Sequence, residues 1–439
     1  MGWKRFVKGT LAALVAVTLA AACTSGDDSS SSDTTTGGDG SSTETTVAAT
    51  GPAPGVTDDS IKVGVTFVDT EALVASGLNY DLGDHEAVYT ALFDAFNEDG
   101  GINGRQIEPV FAPIDPTNPA PAEEKCVQLT EDDDVFVVTG FFLADAVNCY
   151  VSTHATAVAG GEMTPERIEG AEAPWITWTP DADQPEAVLR AMDEQGELDG
   201  TVGVWVAERD QAVLDNQVLP LLDELGVEAA ATAVAVAPAD DQAAQQAEQT
   251  TIAQNFEAAG VDTVVLIGTS AQGWPTIMAE DSSYRPKLLF LDILGARAFY
   301  TNAATTDTTV LEGAVMGGGY GPDQARFDEA AMQECIQTLA DHGVETPTPE
   351  ESGDDPSNQP YQAAFQACPD VALLGAWLEA AGEDLNYGTL TNAINGLEVS
   401  IPGDPEARTY GPPPDADGNP TAYLYTWDED AHDVVIQEG

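Results

Sequence analysis

The sequence predicts an α/β protein of two lobes, each a mainly parallel sheet flanked by helices. Three observations carry that expectation. Short apolar runs alternate with helix-length amphipathic stretches, the pattern of strand–helix units on a parallel sheet. The alternation starts at residue 61 and begins afresh at residue 201. The foldable part of the chain, about 380 residues, is also longer than one core sustains.

In chain order, the first strand is 61–68 (IKVGVTFV), followed by a helix over His85–Glu98, where Ala87, Leu92, Ala95 and Phe96 can share a face. A second strand covers 106–111, a helix 123–130, and a buried third strand 135–139. A short fourth strand, 175–179, ends at Pro180. The second series has a strand at 201–207 and a helix at 214–225 closed by Gly226. An extended run follows at 227–236, then a helix at 243–259 capped by Gly260. Buried strands are expected at 261–267 and 287–291. Later, 313–320 is extended, and 324–342 and 361–381 are helical. The chain closes in a hairpin of 421–427 with 433–436, turning at Asp428-Glu429-Asp430. Residues 341–359, rich in Pro, Asp and Ser, read as an exposed insertion.

The N-terminus is a different kind of segment. Lys4, Arg5 and Lys8 precede a short apolar run, 11–22, which ends in Ala20-Ala21-Ala22 before Cys23. That run is too short to span a bilayer core of roughly 30 Å, so it reads as an export signal over residues 1–22. Cys23 then stands where a bacterial lipoprotein is acylated, with Leu19 four residues before it rather than three. Residues 23–55 are Ser, Thr, Gly and Asp with almost nothing to bury, and are expected to form a solvated tether. The body divides as a first part of lobe 1 (56–180), a first part of lobe 2 (181–295), and a remainder (296–439) returning to both.

Charge excludes one class of partner. The chain has 75 acidic residues against 14 basic, a formal charge of −61, and loss of Lys4, Arg5 and Lys8 with the signal leaves it near −64. Nucleic acid is a poor partner for such a surface. So much like charge works against compactness at low ionic strength, which fits a saline habitat, with general solubility as the alternative that composition leaves open. With Cys23 taken by lipid, Cys126, Cys149, Cys335 and Cys368 remain, enough for two disulfides in an oxidising compartment. Sequence-local pairing is the simplest of three connectivities. No CxxC pair or His cluster points to zinc, and no metal or cofactor is expected.

Residues 96–107, Phe96-Asn97-Glu98-Asp99-Gly100-Gly101-Ile102-Asn103-Gly104-Arg105-Gln106-Ile107, resemble a family segment, N-x-x-G-G-I-N-G-[RK]-x-[IL]. The family is the type I periplasmic solute-binding proteins of ABC importers, in particular the leucine/isoleucine/valine- and amide-binding branch. Val56-Thr57-Asp58-Asp59-Ser60-Ile61-Lys62-Val63-Gly64 is similar to its entry to the first strand. Residues 392–397 and then Arg408-Thr409-Tyr410-Gly411 resemble its closing stretch before the terminal hairpin. Cys126 and Cys149 flank the third strand, as a disulfide does in some relatives. The resemblance covers about residues 56–436. It implies a type I periplasmic-binding-protein fold with three hinge crossovers, near 180–200, 290–300 and 390–400. It also implies capture of a small molecule by lobe closure and delivery to an ABC permease, with a monomer expected.

Ligands of open α/β sheets bind outside the carboxyl ends of the strands, and the resemblance selects the same loops. In lobe 1 these carry Thr70 and Glu71, Phe141 and Phe142, and Thr177, Trp178 and Thr179. In lobe 2 they carry Glu208, Thr269 with Ser270, and Asp292, with Tyr320 after the glycine run. The chain departs from the amino-acid binders, which hold the ligand carboxylate on a serine-rich turn where this sequence has Phe141-Phe142-Leu143-Ala144. Phe141, Phe142 and Trp178 favour an apolar or planar ligand, unless the phenylalanines fill the lobe core. Trp205, inside a strand, reads as core, and Glu208 and Asp292 have surface charge as their alternative.

No catalytic residue is expected. The glycines around Ser270 do not have the G-x-S-x-G spacing, and there is no HExxH. His85, His154, His342 and His432 are far apart and read as surface residues. Asp415-Ala416-Asp417-Gly418-Asn419 lacks the calcium-loop pattern and reads as a turn. A secreted hydrolase is the lesser alternative. A surface receptor of the same fold, signalling through a membrane sensor, is the stronger one.

Overall fold

A computed structural model describes residues 53–437 apart from 119, 180–184, 238–240, 269–270, 272, 282, 301–306, 354–356, 414, 419–421 and 430–432. The signal, Cys23, most of the tether, Ser270 and His432 lie outside the described residues.

The first sheet is parallel, in the order β2-β1-β3-β4-β5. Its strands are β1 (Ser60–Val68), β2 (Gln106–Ile114), β3 (Val137–Gly140), β4 (Ala157–Gly160) and β5 (Trp175–Ile176). β1 is an inner strand, and Ile61, Val63 and Val65 are buried on one face while Gly64 lets Leu129 and Val138 approach on the other. β4 is a strand the sequence pattern does not reveal; the predicted fourth strand is the fifth.

The helix His85–Glu98 begins at Asp84, whose carboxylate accepts from Ala87 N at 3.0 Å. It stops where Gly101 N donates to Phe96 O, with Gly101 at φ 70°. A Cβ there would lie 1.9 Å from Arg105 O, so the turn into β2 requires glycine. This helix packs with Ala330–Asp341 and Gln362–Ala381 against the sheet.

The second sheet runs β14-β13-β10-β9-β8-β6-β7. It comprises β6 (Val202–Ala207), β7 (Ala229–Ala235), β8 (Thr263–Ile267), β9 (Lys287–Phe290), β10 (Val315–Gly318), β13 (Tyr423–Asp428) and β14 (Asp433–Ile436). The terminal hairpin β13–β14 adds antiparallel to β10. A small antiparallel pair, β11 (Leu397–Val399) and β12 (Arg408–Tyr410), belongs to the first core. Trp205 is core, as read, with its indole donating to Gln249 Oε1 at 2.8 Å. Gly260 closes its helix at φ 76°, in the left-handed region.

The chain passes between the two assemblies three times. Trp178 belongs to the first core and Val188 to the second; Met316 lies in the second and Phe327 in the first; Ala416 lies in the first and Leu424 in the second. The expected crossings at 290–300 and 390–400 therefore fall later, within 317–326 and 417–423. The reason is local. After β9 the chain adds the helix Ile293–Tyr300 and then β10 to the same sheet before leaving it.

Disulfides join Cys126 to Cys149 and Cys335 to Cys368. The 341–359 segment is less exposed than expected. It forms a short helix, Pro349–Ser352, with Ser352 buried, and Asn358 bridges Asp81. His85 is also buried, against the surface reading. It stacks on Phe67 with ring centroids 5.8 Å apart, and desolvation lowers its pKa.

The acidic surface makes a direct prediction. The melting temperature of the full chain is expected to rise between about 0.1 M and 1 M NaCl, as the screening length drops from ~10 Å to ~3 Å. A melting temperature that stays flat or falls over that range would remove the case for charge repulsion.

Candidate functional site

Strand order locates two switch points, between β1 and β3 in the first sheet and between β6 and β8 in the second. The sequence-selected residues around them divide sharply. Thr70 starts the short helix Thr70–Ala75, capped by the Asp69 carboxylate, and Glu71 beside it is exposed. Phe141 is half-buried, and its amide donates to Thr66 O at 2.9 Å, extending the β3–β1 ladder. Phe142 sets its ring edge-on to Tyr150 at 5.5 Å and packs against the first core. Glu208 is exposed in the turn Glu208–Asp210. Thr177 is fully buried; its hydroxyl accepts from Thr179 N at 3.0 Å, and its amide donates to Ala416 O. Those two threonines thus form a closed turn.

Trp178 and Tyr320 do come together. They stand on different crossings, and their rings meet edge-to-face at 6.0 Å. Behind Trp178 lies Asp370, 1 % exposed, in the long helix Gln362–Ala381. The Trp178 indole donates to Asp370 Oδ1 at 2.6 Å and the Tyr89 hydroxyl to Oδ2 at 2.5 Å. Burial pushes the Asp370 carboxyl up to about 7, against the pull of those two donors. Burial also raises the Tyr320 phenol to about 12. Arg408 completes this region. Its guanidinium donates to Asp404 at 2.6 Å, to Trp178 O at 2.7 Å and to Asp417 O at 3.1 Å.

Asp292 and Tyr320 both line a cavity of about 930 Å³ beyond the ends of β9 and β10. One wall is Val188, Leu291, Ile293, Val434 and Ile436, from the second assembly. The other is Asp323, Arg326, Glu350, Gln359 and Tyr361, around the return to the first. Gly317, Gly318, Gly319 and Gly321 run between them. Asp292 also caps its own turn, accepting from Leu294 N at 2.7 Å. The central guanidinium carbon of Arg326 lies over two rings, 4.7 Å from the Tyr320 centroid and 4.5 Å from that of Phe365. The Tyr361 hydroxyl donates to Asp323 Oδ2 at 2.9 Å.

The sequence reading passed over Asp370, Arg326 and Arg297, although signals were present. Asp370 is a lone carboxylate within CPDVALLGAW, and a charge inside an apolar helix is the informative exception. Arg297 and Arg326 are two of only 14 basic residues, and both line one cavity.

The profile of the periplasmic binding protein family matches residues 60–432, and the chain belongs to that family. It is a family of extracytoplasmic binding proteins rather than enzymes. No curated protein matches the chain. Among solved structures it is similar to an ABC transporter substrate-binding protein from Desulfitobacterium hafniense, at 14% identity and a TM-score of 0.58, covering 86% of this chain and 100% of that one. A complex of a Desulfitobacterium hafniense substrate-binding protein with Leu gives 14%, 0.56, 86% and 100%. A solute-binding protein from R. palustris in complex with 4-hydroxybenzoate gives 13%, 0.52, 87% and 96%. These likenesses show the fold: two lobes of parallel sheet and helix. Among the described residues no helix is long and apolar enough to cross a membrane.

Proposed function

We propose that this protein is a lipid-anchored solute-binding protein of the leucine/isoleucine/valine- and amide-binding branch. Held at the outer face of the cell membrane through Cys23, it captures an amino acid, amide or related organic solute between its lobes. It then hands the solute, chemically unchanged, to an ABC permease. The observation that carries this reading is the cavity of about 930 Å³ whose walls come from both assemblies and from a crossing between them. Its volume lies in the range of small-molecule sites, roughly 300–1,000 Å³. A solute touching both walls binds the closed arrangement better than the open one, so occupancy and closure are linked. The Leu and 4-hydroxybenzoate complexes of structurally similar proteins support a small organic ligand.

The test is a thermal-shift screen of the full chain after removal of carried-over ligand. The panel covers amino acids, amides, polyamines and organic acids. A ligand at 100 times its dissociation constant is expected to add about 2.7 kcal/mol of stability. If folded protein shows no shift with any class, in low and high salt, the reading fails.

A further inference from the structure

We propose that the solute is a small organic monocarboxylate with an apolar or aromatic body, and that Arg326 receives its carboxylate. The proposal rests on the reading of the 930 Å³ cavity as the solute site.

Arg326 is almost buried, its side chain 11 % exposed, yet it is under-bonded. Its nearest anion, Asp323 Oδ1, is 3.7 Å away, beyond hydrogen-bond distance, and the other oxygen of that carboxylate is engaged by Tyr361. Among the described residues the guanidinium has no hydrogen-bond acceptor; the Tyr320 and Phe365 rings lie close to its central carbon. Arg408 shows what this chain does with a structural arginine. At 4 % side-chain exposure it donates to a carboxylate and two carbonyls. The donors of Arg326 keep access to solvent rather than being sealed in, and Arg326 lines the cavity, so an acceptor entering there can reach them. With two rings close to its central carbon, the guanidinium's N–H groups remain for an incoming carboxylate, which can match them with two parallel bonds.

The rest of the cavity narrows the class. Asp292, Asp323 and Glu350 share it with Arg297 and Arg326, so a dianion such as a phosphate ester meets more negative than positive charge. An inorganic anion would leave most of the 930 Å³ empty. The wall of Val188, Leu291, Ile293, Val434 and Ile436 instead takes an apolar body.

The experiment is calorimetric titration of the full chain with matched pairs, phenylacetate against phenylacetamide and hexanoate against hexanamide. Wild type, Arg326→Gln and Arg326→Lys are compared. Each acid is expected to bind at least about tenfold more tightly than its amide, the scale of a charge-assisted pair. Arg326→Gln is expected to cost the acids about 10- to 100-fold and the amides several-fold less, so that the acid–amide gap closes. Arg326→Lys recovers part of the loss. Amides binding wild type as well as acids, or acids binding Arg326→Gln undiminished, overturns the proposal. Should Arg326→Gln not fold, the acid–amide comparison in wild type decides alone. Binding of only neutral or cationic solutes overturns this proposal and leaves the solute-binding reading intact. Silence toward every class overturns both.

Discussion

Asp370→Asn is expected to stabilise the protein at pH 8 by up to about 4 kcal/mol and to have almost no effect near pH 4. The folded carboxyl titrates at about 7 against an ordinary 3.8. The folded state therefore holds a proton that the unfolded chain has released between those values. Each unit corresponds to about 1.36 kcal/mol, so stability from this group is full below pH ~4, is lost as pH rises to ~7, and is constant above. Asparagine keeps the acceptor for the Trp178 indole and presents an amide to the Tyr89 oxygen without a buried charge. The groups facing Asp370 are Tyr89, Trp178 and, through its field, Tyr320. Urea denaturation of both proteins from pH 4 to 8 measures the difference directly. Other carboxylates also ease repulsion on acidification, but they cancel in the comparison. A gap between the two proteins that does not change with pH would refute the assignment.

Replacing Cys335 and Cys368 by alanine is expected to cost about 3–4 kcal/mol, the loop-closure entropy for a separation of 33 residues. The bond ties the helix Ala330–Asp341 to Gln362–Ala381. Between those helices runs the segment that brings Pro349, Glu350, Gly353, Gln359 and Tyr361 to the cavity. Ligand affinity is therefore expected to fall together with stability. Cys126→Ala with Cys149→Ala, remote from the cavity, should lower stability without that loss. Urea midpoints and titration calorimetry on both variants separate the effects. Equal affinity in all three proteins would detach the segment from ligand binding.

Most of the fold was legible because periodicity and end signals agreed. The helix His85–Glu98 has an apolar stripe, an aspartate before it and two glycines after it, and its bounds follow. β4 escaped because Ala-Val-Ala-Gly has a single branched residue, Val158, among three small ones, too little of the bulk that marks a strand. The late crossings were misplaced because apolar pattern says which residues are buried, not in which of two cores.

The site was less legible for a related reason. Position after a strand singles out loop residues, whereas side-chain direction is set by packing. Thr177 turns inward to its own loop, Phe142 toward Tyr150, and Glu71 and Glu208 toward solvent. Asp370 and Arg326 reach the region from helices far along the chain, where strand-end reasoning does not look.

Arg408 bears on how such a molecule bends. One guanidinium holds the carbonyls of both Trp178 and Asp417, the last first-lobe residues before two separate crossings. The two segments that leave the first lobe are thereby tied to one side chain, a shared anchor at which a displacement of either is passed to the other.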